Sequence, residues 1–170
     1  IRKVGLIGAL LFATTSAQAA FITVDEAGLD AVYAQSSFLT NGNGQIIDIR
    51  IGAATELVLP TLLDITTNAE VTALFAQHIG SANVVNFYFI DTISACGATI
   101  SASIVGCGEF PGNDFVVESN FADSANNAEL LGHELGHNLG LAHRTSATAL
   151  MNPSINGGID LINSEVTTVR

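Results

Sequence analysis

The chain has 170 residues and carries sixteen acidic side chains against five basic ones, a formal net charge of −11. Nothing in such a composition offsets the repulsion of phosphate, which excludes nucleic acid and anionic lipid as partners. The length suits one domain with one main core, and no internal repeat or linker to a second domain interrupts it.

Arg2 and Lys3 precede the apolar run Val4 to Ala13, and Ala17-Gln18-Ala19 has the small-x-small form of a leader cleavage site. Residues 1–19 are therefore expected to be an export leader and residues 20–170 the mature, extracellular domain. The run is too short to span a bilayer, so no membrane insertion is expected once the leader is gone.

Val24 to Ser37 has helical apolar spacing with acids early, which predicts a first amphipathic helix. Residues 40–44, Thr-Asn-Gly-Asn-Gly, read as a turn. Gln45 to Ile51 alternates as a strand, with Ile47, Ile49 and Ile51 on one face. Thr55 to Leu59 reads as a further short strand, and Ala69 to Ile79 as a helix ending at Gly80. His78, at the end of that helix, has no second ligand at helical spacing and is expected to play a surface or core role. Val84 to Ile90 is an almost unbroken apolar and aromatic run, the pattern of a central strand covered on both faces. Asp114 to Ser119 is the next strand candidate. Strands alternating with helices predict a largely parallel sheet in an α+β (α/β-like) fold.

Residues 92–113 between these strands read as a loop rich in Ser, Ala and Gly. They hold Cys96 and Cys107, an even pair in a chain with an export leader, which favours a disulfide over free thiols or metal ligands. Asn126 followed by Glu129 has the form of an N-terminal capping signal, so a helix should run from about Asn127 to Leu139. Gly132 and Gly136 sit inside it on one side, which suggests close approach of the sheet backbone. Asn156-Gly157-Gly158 reads as a turn, and Ser164 to Arg170 as the start of a last helix.

The predicted helix from 127 to 139 carries the chemistry. His133 to His143 reads H-E-x-x-H-x-x-G-x-x-H. On a helix, at roughly 100° per residue, His133 and His137 fall within about 40° of each other and can share one metal ion. Glu134, about 60° further round, can reach a metal-bound water without being a ligand. Gly140 tolerates positive φ, which ends the helix and lets His143 return as a third ligand. Three nitrogens leave a position open for water, the pattern of a catalytic zinc site rather than a closed structural one. A bare H-E-x-x-H also arises by chance. Here it continues through Gly140 and His143 and is followed by Ala149-Leu150-Met151-Asn152-Pro153, which makes an accidental origin the weaker reading.

These residues resemble the signature of the metzincin zinc metallopeptidases, with the 149–153 segment similar to the Met-turn of the matrixins. His137-Asn138-Leu139-Gly140 is as similar to the reprolysins. Arg144 stands where those subgroups have Ser or Asp. The resemblance implies a zincin-like catalytic domain: a twisted mixed sheet, an active-site helix beneath a cleft, and a C-terminal part holding the Met-turn and a closing helix. It implies Zn2+ held by His133, His137 and His143, Glu134 as general base, and a peptide or protein substrate lying extended against a sheet edge. Ile100 to Val105 is the candidate edge, the alternative being that it belongs only to the disulfide loop. Met151 is expected beneath the ligands without coordinating. The position where some subgroups have a metal-directed Tyr is Pro153. A monomer is expected. Two other readings use the same residues: an inactive secreted zinc-binding or matrix protein, and a zinc hydrolase acting on a non-peptide amide.

Overall fold

The computed structural model describes residues 2–11, 22–41, 46–124 and 127–169, with residues 2–11 and 41 described by backbone alone. The strands are β1 (Arg2–Leu11), β2 (Ile47–Ile51), β3 (Thr55–Leu57), β4 (Asp64–Ile65), β5 (Val84–Ile90), β6 (Thr92–Ile93), β7 (Ala95–Cys96), β8 (Thr99–Ile100), β9 (Gly106–Gly108) and β10 (Asp114–Glu118). The α-helices are α1 (Glu26–Tyr33), α2 (Ser36–Asn41), α3 (Asn68–Phe75), α4 (Ser119–Ala122), α5 (Asn127–Asn138) and α6 (Asn163–Thr168).

The main sheet runs β2-β1-β5-β10-β9, with β3 also paired to β1. Its strands are parallel except β9, which lies antiparallel to β10 and forms the outer edge. The expected α+β fold with a mixed sheet is the one observed.

Burial follows the two-residue period of the strands. Val85, Phe87 and Phe89 of β5 join a core shared with α1 and α5, while Tyr88 and Ile90 join a second core with Leu74 of α3. Phe115 and Val117 of β10 face the first core and Val116 the second. Both faces are thus covered, which is why these strands are apolar without alternation. Phe87 stacks on Phe115 across the strand pair, with ring centroids 5.5 Å apart.

Three local expectations change. The first helix ends at Tyr33, and α2 begins separately at Ser36. Gln35, between them, turns its amide to Val32 O and Ile159 O. Helix α3 stops at Phe75 instead of Ile79, and its start is capped by Thr67, whose hydroxyl accepts from Glu70 N while the Glu70 carboxylate accepts from Thr67 N. Residues 92–113 contain four short strands rather than only loop.

The apolar run expected to be the hydrophobic part of a leader forms β1, between β2 and β5. One pattern suits both roles, because a buried parallel strand and a leader both need an uninterrupted apolar segment of about this length. The expected cleavage site lies outside the described residues.

Candidate metal centre and active site

Helix α5 is buried on almost every side. Leu130, Leu131 and Leu135 pack in the first core, and His133 and Glu134 are each only 5% exposed. Gly136 leaves room for the Met151 sulfur, which would come within 2.5 Å of a Cβ at that position. A Cβ at Gly132 would face the Leu150, Val32 and Leu29 side chains. The two glycines therefore admit the Met-turn and α1, a correction to the expected approach of the sheet backbone. The Tyr33 hydroxyl donates to Gly132 O at 2.7 Å.

Gly140, at φ 89°, closes the helix. Its amide donates to His137 O and the Leu141 amide to Gly136 O, each at 2.9 Å, the paired contacts of a left-handed glycine cap. The chain then reverses and brings His143 back over the helix.

Each helical histidine is oriented through Nδ1. His133 Nδ1 lies 2.8 Å from Leu150 O, and His137 Nδ1 lies 2.8 Å from Leu141 O. A carbonyl only accepts, so each Nδ1 holds the proton and each Nε2 presents a lone pair. These two Nε2 atoms converge on His143 Nε2, at 3.3 and 3.2 Å respectively. Burial depresses all three imidazole pKa values, that of His133 to about 4, so the rings are neutral near pH 7. Neutral lone pairs facing one another repel unless a cation sits among them. The donor set therefore fits a metal ion, and the ligand atoms of the three residues all lie within 4.8 Å of one another.

Glu134 lies against β9. Side chains at Gly106 or Gly108 would strike its carboxylate or backbone, so the two glycines around Cys107 make room for it. Burial raises the Glu134 carboxyl to about 8, opposed by the Gly108 amide that donates to it. Its Oε2 is buried and has no hydrogen-bond partner among the described residues. Phe110, just past β9, is 59% exposed and stands edge-on to His137, with centroids 6.1 Å apart.

The expected residues take the following places. His133, His137 and His143 come together with Glu134 beside them, and Met151 lies fully buried beneath. Cys96 and Cys107 form a disulfide joining β7 to β9. His78 stands apart, 2.9 Å from Asp114 Oδ2. Neither tyrosine is directed at the metal site, since Tyr88 donates to Asp114 Oδ1.

The sheet edge is β9, directly after the expected 100–105 segment, of which Ile100 belongs to the separate β7–β8 hairpin. The Gly-Cys-Gly sequence was the available signal, because a strand of glycines needs a close neighbour to explain it. Glu129, the expected capping partner of Asn126, also reaches the C-terminal part of the chain. Its oxygens accept from the Asn156 and Gly157 amides, each at 2.8 Å, and Asn126 lies outside the described residues. Sequence spacing gave no sign of that long-range pairing.

The sequence model of the family described as Matrixin matches residues 65–168, more than half of the chain. The chain belongs to the matrixin family. Among solved structures, metalloproteinase-II of Bacteroides fragilis is similar in fold, with a TM-score of 0.61 and 14% identity over 99% of this chain and 52% of that one. This matrixin thus spans about half the length of the Bacteroides protein. Archaemetzincin of Archaeoglobus fulgidus, complexed with malonate, has a TM-score of 0.53 and 13% identity over 98% of this chain and 99% of that one. No curated protein matches the sequence. Family and fold agree on a metallopeptidase domain with three histidines set to hold a metal ion.

Proposed function

We propose that this matrixin is a secreted zinc endopeptidase. The observation that carries the reading is the convergence of three Nε2 atoms beside an unpartnered Glu134 oxygen. The separations fit tetrahedral coordination, the geometry that zinc takes. Ligands about 2.0–2.1 Å from a tetrahedral zinc sit roughly 3.3–3.4 Å apart, close to the 3.2 and 3.3 Å found here. Octahedral neighbours at that bond length would sit only about 2.9 Å apart.

A zinc ion held by His133, His137 and His143 would polarise the scissile carbonyl and acidify an attacking water. Glu134 Oε2 accepts the water proton, and the same carboxyl returns it to the leaving amine. The burial that raises this carboxyl suits it to hold a proton between the two transfers. The outer edge of β9 pairs with no further strand among the described residues and can take an extended peptide, and Phe110 supplies an apolar wall next to His137. Secretion is supported by the Cys96–Cys107 disulfide and by the Arg-Lys-apolar start of the chain. Among the described residues no helix is long and apolar enough to cross a membrane.

Hydrolysis of casein that a chelator stops and zinc restores is the expected result. Stoichiometric zinc without hydrolysis would instead identify an inactive binding protein. Turnover confined to small non-peptide amides would move the enzyme to another substrate class.

A further inference from the structure

His143 differs from the other two ligands. His133 and His137 stand on one helix, whose hydrogen bonds already fix their backbones, whereas His143 lies on an exposed return loop. Something else must limit the freedom of that loop, because each unrestrained backbone residue opposes metal binding by its conformational entropy.

The next residue, Arg144, supplies that restraint. Its amide donates to Met151 O at 2.8 Å. Its Nε donates to Glu165 Oε1 at 3.0 Å and its Nη2 to Glu165 Oε2 at 3.3 Å, a two-pronged contact with α6. Nη2 also donates to Asp160 O at 2.9 Å. That same carbonyl accepts from the Leu150 amide at 3.1 Å, and Leu150 O is the group that orients His133 through Nδ1. The far end is fixed as well, since Glu165 Oε2 accepts from Ile162 N at the start of α6. A continuous hydrogen-bonded path therefore runs from α6 through the guanidinium to the peptide behind His133, while the chain itself links Arg144 to His143. The pair is largely screened from solvent, with Arg144 24% and Glu165 10% exposed.

We infer that the Arg144–Glu165 pair is a positioning device for the metal ligands, holding His143 through the chain and His133 through Asp160 and Leu150. The inference rests on the zinc reading given above. A guanidinium suits the task because its planar fork meets both carboxylate oxygens and still spares a donor for Asp160, which an ammonium cannot match geometrically.

The test compares Arg144→Met, Arg144→Lys and Glu165→Gln with the unaltered protein. Zinc affinity is measured by competition with a chromogenic chelator, ligand geometry by the visible absorption of the cobalt-substituted protein, and fold stability by melting of the metal-free form. Arg144→Met and Glu165→Gln should each weaken zinc about 10-fold or more, the usual effect of losing a group that orients a ligand. Both should alter the cobalt spectrum, and Arg144→Lys should fall between them and the unaltered protein. Combining Arg144→Met with Glu165→Gln should weaken zinc no further than Arg144→Met alone, because the two act as one unit.

Unchanged zinc affinity and cobalt spectrum, with only the metal-free melt lowered, would overturn the inference and leave the pair as a tie for α6. Should Arg144→Met not fold, Glu165→Gln, which keeps an acceptor for the Ile162 amide, and Arg144→Lys decide the matter. An unaltered protein that binds no zinc sinks the zinc reading and this inference together. Tight zinc in all variants sinks this one alone.

Discussion

Two polar clusters, one around His78 and one around His133, His137 and His143, are built on opposite accounting of polar atoms. On one side of the fold, Asp114 lies 2.9 Å from His78 Nδ1 through Oδ2 and accepts from the Tyr88 hydroxyl at 2.9 Å through Oδ1. Asn86 exchanges hydrogen bonds with both polar groups of the Ile79 backbone. Each of these groups meets a partner of the opposite kind. At the metal centre the reverse holds: the donors of His133 and His137 are spent on backbone carbonyls, their Nε2 lone pairs converge on His143 Nε2, and Glu134 Oε2 has no partner among the described residues. A matched cluster holds a fold together, whereas an unmatched one awaits a cation and a proton.

The comparison breaks most sharply at Glu134. Glu134→Gln should keep the metal and lower peptide hydrolysis about 10²–10⁴-fold, the usual share of a general base. Metal content by elemental analysis and turnover on one substrate check this, and normal turnover would remove Glu134 from the chemistry. His143→Ala should weaken the metal by at least about 100-fold, since it removes a direct ligand rather than a supporting group. Unchanged metal content would take His143 out of the site.

The matched cluster should respond in stability alone. Asp114→Ala leaves the Tyr88 hydroxyl without its acceptor in the second core and takes Oδ2 away from the partly exposed His78 ring, at a cost of about 1–3 kcal/mol. Denaturant melts should register that loss while the folded fraction keeps its full metal content. Metal lost in proportion to folded protein would show that the two clusters are not independent.

How far the sequence disclosed this contrast depended on the range of the interactions. The histidines and Glu134 lie on one helix and its cap, so their helical spacing and Gly140 were enough to bring them together. The apolar run of β5 announced a strand covered on both faces in the same way, whereas β10 was legible only as a strand. Pairings between distant segments left no local trace. The spacing of Glu129 to Asn126 spoke only of a local cap, and gave no hint that its carboxylate meets amides more than twenty-five residues away. Arg144 was visible only as an unusual residue after His143 until Glu165 was found opposite it. The run at residues 2–11 was ambiguous for another reason, since a leader and the strand it forms between β2 and β5 ask for the same composition. Cleavage after Ala19 would withdraw that strand, so the intact mass of the folded, exported protein separates the two roles.

The finest test of the unmatched cluster uses the metal-free protein and its dependence on pH. Burial raises the Glu134 carboxyl from the ordinary range to about 8, so between about pH 4.5 and 8 the folded chain holds a proton that the unfolded chain has released. That contribution to stability is complete below pH 4.5 and is lost as pH rises through 8. Burial lowers His133 to about 4, so between about pH 6.5 and 4 the unfolded chain takes up a proton that the folded chain refuses. Stability from His133 is therefore present above pH 6.5 and is lost as pH falls through 4, and His137 and His143 act in the same direction. From pH 6.5 to 8 the carboxyl acts almost alone. Chelator-treated protein should lose about 1–2 kcal/mol over that interval, whereas Glu134→Gln, which does not titrate, should lose none of it. Denaturant melts of the two proteins at matched pH read the difference directly. Parallel curves would mean that the Glu134 carboxylate is already satisfied without the metal, and the contrast between the two clusters would fall with it.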